Sequence, residues 1–222
     1  MSNQNYTKKE LERVPIKVLE TLETSKWEME SLLNNFSTEI DTYQSHKRYY
    51  IAPGNPEIMW QGYTQAHPLE MWQGPLARLI VMYDSLSKNI YLKEFPQNLV
   101  IEPGQILFMH LDLHPIIRRS TTFQISEINK EELRIVFNYV KQNPTQGRQE
   151  ITLSSLPAPK GDKTLISHKA WFKGPSKFFD RVLYPLFHSR VIDEFHKQIA
   201  ANKGLILEKK GTARPDNPSI IT

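Results

Sequence analysis

The sequence contains no cysteine. That excludes disulfide frameworks, cysteine-ligated zinc, iron–sulfur clusters and thiol nucleophiles. Long apolar runs are missing as well. The stretch from Leu76 to Tyr83 is interrupted by Arg78 and falls far short of the roughly 20 residues that span a bilayer. The opening residues, MSNQNYTKKELERV, carry no apolar segment after their lysines, so a secretory signal is not expected. There is no glycine-rich phosphate loop, no GxSxG and no HExxH, and Gly62, Gly74 and Gly104 form no dinucleotide fingerprint. No nucleotide, flavin, metal or other cofactor is implied.

A clustered excess of one charge is also lacking. The 28 Lys+Arg against 24 Asp+Glu give +4. Residues 203–222 hold Lys203, Lys209, Lys210 and Arg214 against Glu208 and Asp216, so half of that charge sits in the tail. Duplex binding needs a basic face or stripe, and no nucleic-acid partner is expected. With 39% hydrophobic and 10% aromatic residues, the chain is too apolar for disorder. A soluble, cytoplasmic protein is the expectation, with no transmembrane segment.

What is present divides into a helix-rich first half, a strand-rich middle and a long final helix. Residues 7–24 place Leu11, Val14, Val18, Leu19 and Leu22 at helical spacing, with Thr7 and Glu10 as a capping box and Pro15 as a break. Residues 27–36 read as a second helix. Segment 45–75 is punctuated by Pro53, Gly54, Pro56, Gly62, Pro68, Gly74 and Pro75, yet carries Tyr49, Tyr50, Trp60, Tyr63 and Trp72. It reads either as an irregular cover on the core or as a wall over an apolar pocket. Residues 76–89 read as a helix after Pro75.

From about residue 98 the period changes. Segments 106–113, 121–128, 133–140, 149–156 and 165–172 are strand candidates joined by short turns, which imposes antiparallel pairing. The last helix runs from about 176 to 202, with Phe178, Val182, Phe187, Ile192, Phe195 and Ile199 among its apolar residues. Pro185 should bend it. The remaining residues, 203–222, read as a flexible tail.

Several phrases carry a resemblance. Val100-Ile101-Glu102-Pro103-Gly104 precedes the strands, and Gln146-Gly147-Arg148-Gln149-Glu150-Ile151 opens one. Thr164-Leu165-Ile166-Ser167-His168 leads to Trp171-Phe172-Lys173-Gly174, and the helix carries Tyr184-Pro185 and His188. Over about residues 97–202 this resembles the helix-grip group of START, polyketide-cyclase and plant pathogenesis-related proteins. The resemblance implies an α+β fold, with a curved antiparallel sheet on a long C-terminal helix. It divides the chain into a helical N-terminal extension (1–44), a helix-grip domain (45–202) and the tail (203–222). The fold's opening strand and two short helices would then lie within 45–95. It also implies a cavity for a hydrophobic small molecule such as a lipid, a sterol-like compound or an aromatic polyketide. The alternative it offers is an enzyme of the same fold, a cyclase, dehydratase or hydrolase.

The most compact polar constellation is His110-Leu111-Asp112-Leu113-His114. On a strand, His110, Asp112 and His114 share one face, as a metal or acid–base set or as a solvent-facing edge, and parity alone does not choose. His168 shares a face with Ile166, Ala170 and Phe172, as a core histidine or a pocket base. Tyr184 and His188 lie one turn apart. The candidate catalytic residues are His110, Asp112 and His168. The candidate ligand contacts are Trp60, Tyr139, Trp171, Tyr184, His188 and Arg118.

Overall fold

The computed structural model describes residues 43–92, 95–114, 117–141, 143–156 and 162–212. The expected helices at 7–24 and 27–36 lie outside the described residues. The described chain opens on β1 (Gln44–Pro53), followed by two short helices, α1 (Pro56–Thr64) and α2 (Pro68–Met71). Both helices start on a proline, whose fixed φ and missing N–H suit a first turn. Asn55 caps α1 by accepting from the Ile58 N–H, and His67 caps α2 by accepting from the Leu69 N–H. These are the opening strand and two short helices that the resemblance places within 45–95, so segment 45–75, read either as an irregular cover or as a pocket wall, is mostly regular structure.

The strands follow: β2 (Ala77–Asp84), β3 (Asn89–Tyr91), β4 (Ile106–His114), β5 (Ile117–Asn129), β6 (Arg134–Tyr139), β7 (Gln146–Leu156) and β8 (Lys163–Lys173). A π turn (Phe179–Leu183) leads into α3 (Tyr184–Asn202), and β9 (Lys209–Thr212) comes last. The described strands make a nine-stranded sheet in the order β3-β2-β4-β5-β6-β7-β8-β1-β9. Each pairing is antiparallel. The five strand candidates from residue 106 onward are all present.

Residues 76–89 are a correction: they form β2 and its hairpin to β3 rather than a helix. A bulge between Leu79 and Val81 shifts the register, so the inward residues are Ala77, Leu79 and Met82. A spacing of two and then three resembles helical periodicity. Val81 and Tyr83 bury on the opposite face with Ile106, Phe108 and Val140, so the strand is apolar on both sides. The tail differs from expectation in part, because residues 209–212 pair with β1.

The sheet curves around α3, which is tied to both of its sides. Toward β1, Asp193 accepts from Arg48 (2.8 and 3.0 Å) and from the Tyr50 hydroxyl (2.8 Å). Toward β2 and β4, Glu194 accepts from the Leu76 N–H (3.1 Å to each oxygen), and Arg190 donates to the Leu113 carbonyl (3.1 Å). Gly74 makes room for this: a Cβ there would stand 1.4 Å from Glu194 Oε1. The bend expected at Pro185 takes the form of the π turn, in which the Tyr184 N–H reaches the Phe179 carbonyl. The wider turn comes immediately before the residue that has no N–H to give.

Candidate functional site

Between the concave face and α3 lies a cavity of about 380 Å³. Its walls come from alternate strand positions and one helix stripe, as pleat and helical period require. Met109, Leu111 and Leu113 of β4 face it, with Phe137 of β6 and Ile151 of β7, and Phe195 faces it from α3. Trp72, just after α2, stacks on Phe195 (centroids 5.1 Å apart, planes at 16°) and meets Phe137 edge-on at 6.2 Å. Of the aromatics in segment 45–75, Trp72 is the one that lines the cavity; Trp60 is buried in the core beside it. The lining residues Arg119, Ser120, Pro144 and Pro175 are solvent-exposed and mark the mouth.

One strip of the wall is polar. Tyr139 Oη and Tyr184 Oη are 2.8 Å apart, and Gln149 Nε2 donates to Tyr139 Oη at 2.9 Å. Gln149 Oε1 lies 2.9 Å from His168 Nε2, and His168 Nδ1 lies 2.9 Å from His196 Nε2. His196 Nδ1 in turn lies 2.5 Å from the Tyr63 hydroxyl. This is an unbroken chain of six side chains, all buried. His188 stands beside it, stacked on Tyr184 (4.8 Å) and edge-on to His168 and His46 (5.5 and 5.4 Å). Both of its ring nitrogens are buried without a hydrogen-bond partner.

Burial keeps this strip uncharged. Desolvation, with a smaller push from His46, lowers His168 to about 3. Desolvation likewise holds His188 and His196 well below the usual imidazole range, helped in both by His168. His46, which lies 3.0 Å from Ser189 Oγ, is lowered to about 4 by burial and by Arg48. Burial raises Tyr139 to about 12 and holds Tyr184 well above the ordinary phenol range. Burial opposes the charge of Arg48, but the hydrogen bonds to Asp193 hold its pKa above the ordinary guanidinium value.

The predicted residues separate into two sets. Tyr139, His168, Tyr184 and His188 line the cavity together. His110 and Asp112 do not: they lie on the outer face, because Leu111 and Leu113 point inward. There Asp112 accepts from Arg78 and sits 3.1 Å from His110 Nε2 and 3.5 Å from Arg118 Nε. His114 is exposed at the strand end. Trp171 is on the outer face too, under Lys169 and Arg148 (4.1 and 4.8 Å from the ring centroid). Among the described residues no group of three or more acidic or histidine side chains is arranged to hold a metal ion.

The sequence reading missed Tyr63, Gln149 and His196. Each is a polar group on an apolar parity: Gln149 precedes Ile151 and Leu153 on one strand face, and His196 sits among Ile192, Phe195 and Ile199. That pattern was available as a signal.

No family model and no curated protein matches the sequence. Solved structures do resemble the chain. One is the KanY protein, at 11% identity and TM-score 0.48, covering 73% of this chain and 98% of that one. Norcoclaurine synthase from Thalictrum flavum gives 12% identity and TM-score 0.48, over 75% and 98% of the two chains. Major latex-like protein 151 from Panax ginseng gives 10% and 0.49, over 72% and 97%. Likenesses at this level concern chain path alone. Strand order, antiparallel register and the helix held in the concave face give this chain the helix-grip fold.

Proposed function

We propose that the protein binds a hydrophobic small molecule in the chamber between the sheet and α3. The observation that carries the reading is the cavity itself: aromatic and aliphatic walls with its polar groups gathered in one strip. Ligand sites are commonly built this way, with apolar surface for affinity and a few fixed polar atoms for orientation. A volume of about 380 Å³ suits a multi-ring or lipid-sized molecule. A cytoplasmic setting and a partner list without nucleic acid go with this reading.

N-phenylnaphthylamine, an uncharged dye that brightens in apolar surroundings, tests it. The protein should bind the dye, and Val191→Trp, which fills the chamber from α3, should abolish the signal. Equal brightening by both proteins would sink the proposal.

The enzymatic alternative draws on His188, which lines the chamber stacked on Tyr184 and has both ring nitrogens buried without a hydrogen-bond partner. It ranks second for two physical reasons. Both His168 nitrogens are engaged by Gln149 and His196, and a general base works best with a pKa near the operating pH, whereas burial holds His188 far below it. His110 and Asp112, the other candidate bases, have no access to the cavity from the outer face.

A further inference from the structure

The chain from Tyr63 to Tyr184 has a direction, and the direction bears on the ligand. A neutral imidazole has one N–H and one bare nitrogen, and a primary amide has an N end and an O end, so each passes on the polarity it receives. Suppose Tyr63 donates to His196. Then His196 Nε2–H donates to His168 Nδ1, His168 Nε2–H to Gln149 Oε1, and Gln149 Nε2–H to the Tyr139 oxygen. The Gln149 amide is oriented this way, nitrogen toward Tyr139 and oxygen toward His168. The Tyr139–Tyr184 pair then owns two hydroxyl protons and shares one hydrogen bond. One proton is left over at the cavity wall.

In the opposite direction the surplus proton belongs to Tyr63. That residue is 0% exposed, and among the described residues its hydroxyl has no partner besides His196. A donor buried there loses its hydration and gains nothing. At the cavity wall the same proton can be satisfied by whatever fills the cavity. A second, independent feature points to the same spot: His188, stacked on Tyr184, has both nitrogens buried and unpartnered.

We propose that the ligand is an uncharged apolar molecule bearing a carbonyl-type acceptor oxygen, which takes the spare hydroxyl proton of the Tyr139–Tyr184 pair beside His188. This rests on the hydrophobic-ligand reading above and narrows it. The polar end of the ligand is uncharged because the strip offers no charge: its imidazoles and phenols are neutral, and Arg119 is at the exposed mouth. A carboxylate driven to the strip would lose its hydration without a cation to replace it.

Two measurements test the proposal. In the unmodified protein, long-range proton–nitrogen NMR of the imidazoles should find His168 and His196 both protonated on Nε2. Protonation of either on Nδ1 breaks or reverses the chain and overturns the proposal. The second measurement compares Prodan, a naphthalene dye whose carbonyl shifts its emission on accepting a hydrogen bond, with N-phenylnaphthylamine, which has no acceptor oxygen. The variant is the double Tyr139→Phe/Tyr184→Phe, since either hydroxyl alone keeps the spare proton. It should bind Prodan about tenfold more weakly, with emission shifted to the blue, and N-phenylnaphthylamine within about twofold. Equal loss for both dyes, or loss for neither, overturns the acceptor assignment and leaves the hydrophobic site standing. Failure of the unmodified protein to bind either dye removes the site itself. If the double variant does not fold, the tautomers decide alone.

Discussion

The sheet carries one histidine group on each face, and the two are opposites. His110, Asp112 and His114 alternate along one strand and are partly or largely solvated, with Asp112 engaged by His110, Arg78 and Arg118 on the outer surface. His46, His168, His188 and His196 come from three elements, β1, β8 and α3, and meet between sheet and helix, where burial holds them neutral. Period-two spacing selects one face of a strand without saying which. A cluster that is compact in sequence can therefore be the wet side of a half-buried strand, while the groups that share a cavity are gathered by topology.

Acid should have the largest effect, and it acts through the buried group. The unfolded chain protonates its histidines near 6.5, but the native state holds His46 at about 4 and His168 at about 3, with His188 and His196 also depressed. The unfolded state thus binds more protons below 6.5, and stability falls as pH drops below that value. Above it, this contribution is flat. Each histidine adds a slope approaching roughly 1.4 kcal/mol per pH unit, so the four together outweigh any single substitution considered next. Urea midpoints at pH 7.5, 6 and 5 measure this; a constant midpoint would contradict the buried, neutral cluster.

Next in size is Asp193→Asn. It strands the Arg48 charge against α3, and breaking one side of a largely buried pair costs about 3 kcal/mol. Urea melts at neutral pH provide the check, and a loss below about 1 kcal/mol would mean that water reaches Arg48. Gly74→Ala is smaller. The new methyl displaces Glu194 from the Leu76 N–H, for a loss of about 1–2 kcal/mol, without touching the cavity strip. A measured change of zero would show that Glu194 has another way to cap that segment.

The outer face should barely respond. Asp112→Asn removes ion pairs with side chains that are 57% and 73% exposed, and solvent-screened pairs of this kind contribute little, so the urea midpoint should stay essentially where it is. Trp171→Ala should leave N-phenylnaphthylamine affinity unchanged. A tenfold loss of dye binding in either variant would mean that the outer face belongs to the site.

Much of the frame was legible in the sequence. The five strands from residue 106 onward and the last helix follow from alternation, short turns and the apolar stripe, and the helix-grip arrangement from the resemblance those phrases carry. β2 was not legible, because a bulge and a second apolar face removed the alternation that identifies a strand. Within the site, Tyr184 and His188 stand one turn apart on a helix, so local spacing pairs them. Tyr139 and His168 were marked by parity. Their connection through Gln149 was invisible, since it depends on the register in which β6, β7 and β8 align. Tyr63 and Trp72 fall in a segment where the resemblance implied two short helices but the prolines and glycines gave no bounds for them.

The ties from α3 to β1 and α1 join residues far apart along the chain: Arg48 to Asp193 spans 145 positions, His46 to Ser189 spans 143, and Tyr63 to His196 spans 133. Contacts of such separation close late and slowly, because the chain between them must be ordered first. During synthesis, β1 and α1 are made early and wait for the final helix before their polar groups are satisfied. Until then the concave face and its histidines are open to water, where the imidazoles titrate like free ones. The neutral, dry character of the strip is therefore the last property the molecule acquires as it folds, and the first it loses when α3 comes away.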